Sequence, residues 1–286
     1  MLPEVSPGPQ APLPSREGAP EPPQHLEELL LMILAATGRD FTGYKPDTLQ
    51  RRLDKRLATL GISGLEAYLG YVAKKPDELH ILERLFLVSL SSFYRDRASF
   101  KVVEQALRSI VASKGSGEAI RLWVPGCASG EEAYTLAIIL SEILGPARGS
   151  RDIAITGTDL SPDVLELSQA GLYREAAFKE MEPALRDRYF VGQGETYEVN
   201  AALRSMCQFR RHDLVRDPPL SALDMVSCRN LLIYLKAPLQ DQIIRTFHDS
   251  LLPRGLLFIA PSESIGLKGN ALFAPVDRPH NLYRRR

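Results

Sequence analysis

Trp123-Val-Pro-Gly-Cys-Ala-Ser-Gly-Glu-Glu-Ala-Tyr134 is a glycine-bearing turn between a short apolar run, residues 120–124, and an amphipathic segment, residues 131–144. Strand, turn and helix in that order open an α/β unit, and the alternation repeats outward from it. Apolar runs at 153–156, 207–210, 223–227 and 256–260 are mostly separated by helical patterns at 161–170 and 238–252. The pattern predicts a mostly parallel sheet covered on both faces, with ligands bound beyond the carboxyl ends of its strands. Two segments break the alternation. Residues 189–204, with strand-like 196–199, read as a small β insertion, and 272–285 as a closing hairpin.

Upstream the periodicity is helical, at 26–36, 47–60, 65–72 and 76–86. An all-helical domain over 26–100 is therefore expected ahead of a sheet domain over 101–286. Residues 1–25 hold eight of the 21 prolines and almost no large apolar side chains, so they read as a disordered tail.

The 286 residues are 44% hydrophobic, with 35 Lys+Arg against 35 Asp+Glu, a composition of soluble globular proteins. Zero formal charge provides no whole-molecule field toward nucleic acid or anionic membrane. The longest apolar run, 29–36, falls far short of the roughly 20 residues of a membrane span. Pro3, Glu4, Pro7 and Pro9 do not make a secretory signal, so a cytoplasmic protein is expected. Cys127, Cys207 and Cys228 are odd in number and lack close pairing, which points to reduced thiols and no metal site.

The strand ends carry the chemistry. Gly126 and Gly130 do not satisfy G-x-G-x-x-G. Glu131 and Glu132 occupy the first helical turn, where a dinucleotide would place its pyrophosphate. Two carboxylates repel that group and suit a ligand that is cationic there, such as the sulfonium and ammonium of S-adenosylmethionine. The alternative needs no ligand: Ser129 to Glu132 fits an S-x-x-E capping box, and acids at a helix start are favourable by about 0.3–1 kcal/mol.

Asp159, after the second strand, can accept from a ribose diol or can make an Asx-type turn that prepares Ser161. Asp213 can bond an adenine amino group while Leu214 packs on the ring. Asn230 and Tyr234, four apart, share a face if the segment after the fourth strand turns helical, and Tyr234 could equally be core. Asp217-Pro-Pro-Leu220 resembles the turn with which amino methyltransferases hold a flipped base, but it lacks the aromatic platform and precedes its strand; it reads as a loop. Ahead of the sheet, Arg95 offers a planar fork matched to a carboxylate. On the helix at 47–60, Arg51, Arg52, Lys55 and Arg56 lie opposite Leu49, Leu53, Leu57 and Leu60, a basic face suited to an acidic protein surface or to nucleic acid.

Taken together, Phe93-Tyr-Arg-Asp96, the 123–132 segment, Gly157-Thr-Asp159 and Cys228-Arg-Asn-Leu-Leu-Ile-Tyr234 resemble the CheR-type chemotaxis receptor methyltransferases, from about His25 onward. The wording around Gly126 and over 217–234 is most similar to forms fused to methylesterase or sensor domains. The resemblance implies a seven-stranded, Rossmann-like S-adenosylmethionine-dependent methyltransferase sheet, an all-helical N-terminal domain and an inserted β subdomain. It implies cofactor contacts from Ser89, Ser91, Arg95, Glu132, Asp159, Asp213, Leu214, Arg229 and Asn230, to which the reading of the turn itself adds Gly126 and Glu131 as cofactor-binding candidates. It places Arg95 and Tyr234 around the reacting carboxylate, a glutamate on the cytoplasmic helical bundle of a methyl-accepting chemotaxis receptor, and it docks that bundle on Arg51, Arg52, Lys55 and Arg56. A monomer is expected. Departures are Ser89 and Ser91 where relatives often carry Asn and Thr, Ala58 in place of an arginine, and a shorter β subdomain with a reduced glycine loop at Gly192 and Gly194.

Glutamate is ionised at neutral pH, so methyl transfer to it needs desolvation and alignment and no general base. Two rival classes are a non-catalytic S-adenosylmethionine-binding module that contacts receptors and a nucleic-acid methyltransferase. The missing aromatic at Leu220 and the zero net charge weigh against the second.

Overall fold

Leucines spaced along one face drive the first four helices together. The computed structural model describes residues 24–87, 91–115, 117–145 and 151–286, so the tail up to residue 23 and Ser89 lie outside the described residues. Helix α2 (Pro46–Leu60) starts on a proline, buries Leu49, Leu53 and Leu57, and is ended by Gly61 in the left-handed region at φ 65°. With α1 (Gln24–Thr37), α3 (Leu65–Lys74) and α4 (Glu78–Phe86) it encloses a core that includes Leu29, Ile33, Phe41, Tyr68 and Phe86.

The remaining chain runs α5 (Arg97–Ser113), β1 (Ile120–Pro125), α6 (Glu131–Leu144), β2 (Ile153–Asp159), α7 (Pro162–Ala170) and β3 (Leu172–Arg174). A 3-10 turn (Glu175–Phe178), α8 (Pro183–Tyr189), β4 (Phe190–Gln193), β5 (Thr196–Val199), α9 (Ala201–Arg204) and β6 (Cys207–Arg211) follow. The chain ends with β7 (Leu223–Cys228), a 3-10 turn (Leu232–Tyr234), α10 (Ala237–Ser250), β8 (Leu251–Ile259), α11 (Gly266–Leu272), β9 (Phe273–Asp277) and β10 (Leu282–Arg285).

Seven strands form one sheet in the order β6-β2-β1-β7-β8-β10-β9. The first five are parallel, and β10 runs antiparallel between β8 and β9, as the closing hairpin predicts. Chain order reverses between β1 and β7, which makes that gap the switch point where a crevice opens.

The fold departs from the expected one at α5, in the inserted subdomain and at the cap of α6. Helix α5 was not anticipated; its Phe100, Val103 and Leu107 enter the sheet core with Ile120 and Leu122, so it straddles the boundary expected at residue 100 and belongs with the sheet. The inserted subdomain is a three-stranded antiparallel sheet, β3-β5-β4, and begins at Leu172 rather than near 189. The cap of α6 is Gly130, at φ 94°, and no side chain caps the helix, so the Ser129 capping box does not form.

The two domains join by backbone pairing. Lys45 N donates to Tyr234 O and Lys236 N to Gly43 O, each at 2.8 Å, around a Tyr44–Leu235 bridge. Arg39 Nη2 adds a bond to Leu160 O at 2.7 Å and its guanidinium pairs with Glu83. These contacts lay loop 39–44 over the carboxyl ends of the parallel strands.

Candidate active site

A cavity of about 500 Å³ opens at the switch point. Gly126 to Ala128 after β1, Asp159 at the end of β2, His212 to Leu214 after β6 and Arg229 to Leu231 after β7 form its floor. Residues 39–44, Leu87, Ser91, Arg95 and Tyr234 also line it. Among the cofactor residues expected from sequence, Ser91, Arg95, Gly126, Glu132, Asp159, Asp213, Leu214, Arg229 and Asn230 are brought to this one cavity. Glu131 is not among its lining residues.

The turn after β1 is shaped by close backbone approach. Gly126 has φ 66°, and a Cβ at Gly157 on the neighbouring strand would lie 2.6 Å from the Phe209 ring. Cys127 N donates to Thr158 O at 2.9 Å and Ala128 N to Asp159 Oδ2 at 3.0 Å, which ties the turn to the end of β2.

Glu131 and Glu132 part company. Glu131 is 4% exposed and accepts from Ser129 Oγ with both oxygens at 2.8 Å and from the Ser91 side chain. Its bonds tie the turn to the segment ahead of α5, and the cofactor contact expected of it is not among those this cavity brings together. Glu132 lines the cavity, accepts from Ser227 Oγ at 2.6 Å and lies 3.5 Å from Arg229 Nη1. Burial raises its pKa, while the Arg229 charge and the Ser227 bond oppose that rise.

Arg229, with a side chain 1% exposed, packs against both the Phe100 and Phe258 rings at 4.9 and 5.0 Å and reaches Asp96 at 3.4 Å. It lies beneath Glu132 as a buried countercharge.

Asp159 performs the Asx-type turn and lines the cavity at once. Its Oδ1 accepts from Ser161 N at 3.0 Å, and burial raises its pKa against backbone bonds from Ser161, Ala128 and Leu160. Asp213 Oδ1 accepts from Val215 N at 2.9 Å, and Asp213 N donates to Asp217 Oδ2 at 2.8 Å. That bond gives the Asp217-Pro-Pro-Leu220 loop a bracing role. Asn230 adopts φ 59°, and Tyr234 closes a 3-10 turn instead of an α-helical one; both still face the cavity.

Four contributors were missed from sequence. Arg39 and Tyr44 come from the helical domain, and burial together with Asp159 and Asp213 pushes the Tyr44 phenol up to about 12. A polar interruption between two helices, Gly38-Arg-Asp40, was the available signal. Ser227, inside β7, and Glu263, after β8, carry no local signal; they act through other residues.

The basic face on α2 is divided. Arg51 and Lys55 are exposed. Arg52 turns to α4, donating to Leu85 O at 2.5 Å and Leu87 O at 3.2 Å, and Arg56 makes a two-pronged pair with Glu78 at 2.7 and 2.8 Å. Of the four cations expected to share the docking face, Arg51 and Lys55 are exposed, while Arg52 and Arg56 are half-buried and hold α2 on α4.

Residues 24–87 match the family described as CheR methyltransferase, all-alpha domain, and residues 89–281 match CheR methyltransferase, SAM binding domain. A chemotaxis protein methyltransferase of Listeria innocua is 32% identical over 80% of this chain and 85% of its own length. One from Klebsiella aerogenes is 28% identical over 84% and 83%. An uncharacterized 104.1 kDa protein from the hypE 3′ region of Rhodobacter capsulatus is 32% identical over 86% of this chain, which spans only 26% of that relative.

Proposed function

Since the chain belongs to the CheR methyltransferase family, we propose that it transfers methyl groups from S-adenosylmethionine to glutamate side chains on the cytoplasmic helical bundle of methyl-accepting chemotaxis receptors. It would act in the cytoplasm as a monomer. The names of its Listeria and Klebsiella relatives support the pathway. The observation that carries the chemistry is Glu132, a carboxylate in the cavity wall backed by Ser227 and Arg229.

The residues present fit the donor. Glu132 and Asp159 provide two acceptor groups in one cavity, Asp213 and Leu214 provide a polar and an apolar contact beside them, and Gly126 keeps the floor free of a side chain. Bound there, S-adenosylmethionine supplies a methyl group on a cationic sulfur, and its passage to a carboxylate consumes one positive and one negative charge.

Arg95 would orient the acceptor carboxylate with its fork of donors. It must not hold the anion more tightly at the start than at the transition state, since that slows transfer. Tyr234 would restrict rotation of the same carboxylate. Neither residue needs to remove a proton, because the acceptor is already ionised. Alignment by such groups can supply up to roughly 7–11 kcal/mol of barrier reduction. Arg51 and Lys55 would contribute the basic contact to the acidic bundle, on the same domain whose loop 39–44 lines the cavity.

The test is incubation with methyl-labelled donor and purified cytoplasmic receptor fragments, then peptide mapping. Label on glutamate that mild alkali releases supports the reading; absence of label, or alkali-stable label, overturns it.

A further inference from the structure

The segment from Arg229 to Tyr234 presents Arg229, Asn230, Leu231 and Tyr234 to the cavity while leaving the sheet, so it must find partners for its backbone N–H groups elsewhere. Three of them go to one side chain. Glu263, in the loop between β8 and α11, is 7% exposed. Its Oε1 accepts from Leu232 N at 2.8 Å and Ile233 N at 3.4 Å, and its Oε2 accepts from Asn230 N at 3.0 Å and Ala260 N at 2.8 Å. The two oxygens divide the work. Oε1 holds the 3-10 turn that ends in Tyr234, and Oε2 pins Asn230, in its left-handed conformation, to the end of β8.

The clamp is itself braced. Glu263 N donates to Ala260 O at 2.9 Å, and Asn281 Nδ2 donates to Ala260 O at 2.9 Å and Glu263 O at 2.8 Å. Asn281 belongs to the turn of the closing hairpin between β9 and β10, so the last strands of the sheet are connected to the cavity wall through Glu263.

We propose that Glu263 is the positioning residue of the acceptor side of the site: its carboxylate fixes the 230–233 backbone and through it Tyr234 and Asn230. The inference rests on the methyltransferase reading for its effect on rate, but the clamp can be measured without any ligand. A glutamine at this position keeps one carbonyl oxygen and places an amide NH₂ against N–H donors, so it can serve only one pair. A buried carboxylate taking several N–H bonds is also a stronger acceptor than an amide.

Glu263→Gln is compared with wild type in two measurements. In cofactor-free protein, backbone amide exchange at Asn230, Leu232 and Ile233 should speed up by tenfold or more, while Met225 and Val226 inside β7 keep their protection. With saturating S-adenosylmethionine and a receptor fragment, kcat should fall at least tenfold, with the KM for the fragment within about threefold. Asn281→Gly, which tolerates the positive φ of that turn and removes the brace, should show the same pattern at smaller size and serves if Glu263→Gln does not fold. Unchanged exchange at 230–233, or wild-type kcat in a variant whose exchange has risen, overturns the proposal. A wild type that transfers nothing, with exchange altered as predicted, overturns the function and the catalytic part of this inference while leaving the clamp standing.

Discussion

Ser227 Oγ donates to Glu132 Oε1 at 2.6 Å, joining the end of β7 to the first turn of α6 across the switch point of the sheet. The bond holds an acid in the cavity wall in one orientation, and Arg229 supplies the countercharge from below. Burial works against ionisation of Glu132, so both partners are needed to keep a negative charge available for a cationic ligand.

Removal of that charge should weaken S-adenosylmethionine more than its demethylated product, because only the former carries a positive sulfur. Glu132→Gln is expected to lower donor affinity by tenfold or more, about 1.4 kcal/mol per decade. Ser227→Ala removes a hydrogen bond to a charged group, a loss of about 1.5 kcal/mol or more, and should cost the donor about tenfold. Isothermal calorimetry with both ligands checks the order.

Affinity should depend on pH in a definite direction. The pKa values of Glu132 and Asp159 are raised by burial, so each takes up a proton at a higher pH than an exposed carboxylate does. As pH falls through these raised values the cavity loses negative charge, and donor affinity should drop before ordinary carboxylates titrate. The same shifts make ionisation a cost to the fold: their relative stabilising effect is complete below the unfolded pKa and is lost as pH rises through the folded one. Donor affinity in Glu132→Gln should therefore fall less steeply than in wild type as pH is lowered from neutrality toward the ordinary carboxylate range.

Binding and transfer should separate at Tyr234 and Arg95. Tyr234→Phe and Arg95→Ala are expected to retain donor binding within about tenfold, whereas methyl transfer falls by at least a hundredfold, about 2.7 kcal/mol of barrier. Calorimetry and labelled-methyl incorporation on the same preparations check this, and wild-type turnover in either variant would remove that residue from the mechanism.

The Arg56–Glu78 pair should prove structural. Glu78 is 3% exposed and also accepts from Tyr68 Oη at 2.7 Å, so Arg56→Ala strands a buried carboxylate at a cost of about 3 kcal/mol. The hydrogen bond and charge of Arg56 hold the Glu78 pKa below its usual value, against burial. A depressed carboxylate stabilises above its unfolded pKa, and the contribution is lost as pH falls through the folded one. Urea unfolding should show the Arg56→Ala deficit at pH 7 and a smaller one below about pH 4. Lys55→Ala should leave stability within about 0.5 kcal/mol.

The alternation of apolar runs with helical segments made the sheet and its hairpin legible, because period and turn residues are local properties. The acids and glycines at strand ends could be read for the same reason: position in a parallel sheet puts them near the ligand. What stayed hidden depends on tertiary placement. Nothing local distinguishes Glu131, which turns inward to Ser129, from Glu132, which faces the cavity. Arg52 and Arg56 share a helix face with Arg51 and Lys55, yet α4 captures them, a contact that helix periodicity cannot express. Helix α5 was missed although its apolar residues pack on the sheet, and Glu263 has no motif because its partners are backbone groups of a distant turn.

Calorimetric titration of the purified protein with S-adenosylmethionine, S-adenosylhomocysteine and NAD at neutral pH tests the electrostatic reading of the cavity most directly. The expected result is saturable binding of the two adenosyl sulfur compounds at one site, weakened in Glu132→Gln, with no binding of NAD. Binding of the pyrophosphate-bearing nucleotide in preference to both would contradict the assignment of Glu132, and with it the proposed chemistry.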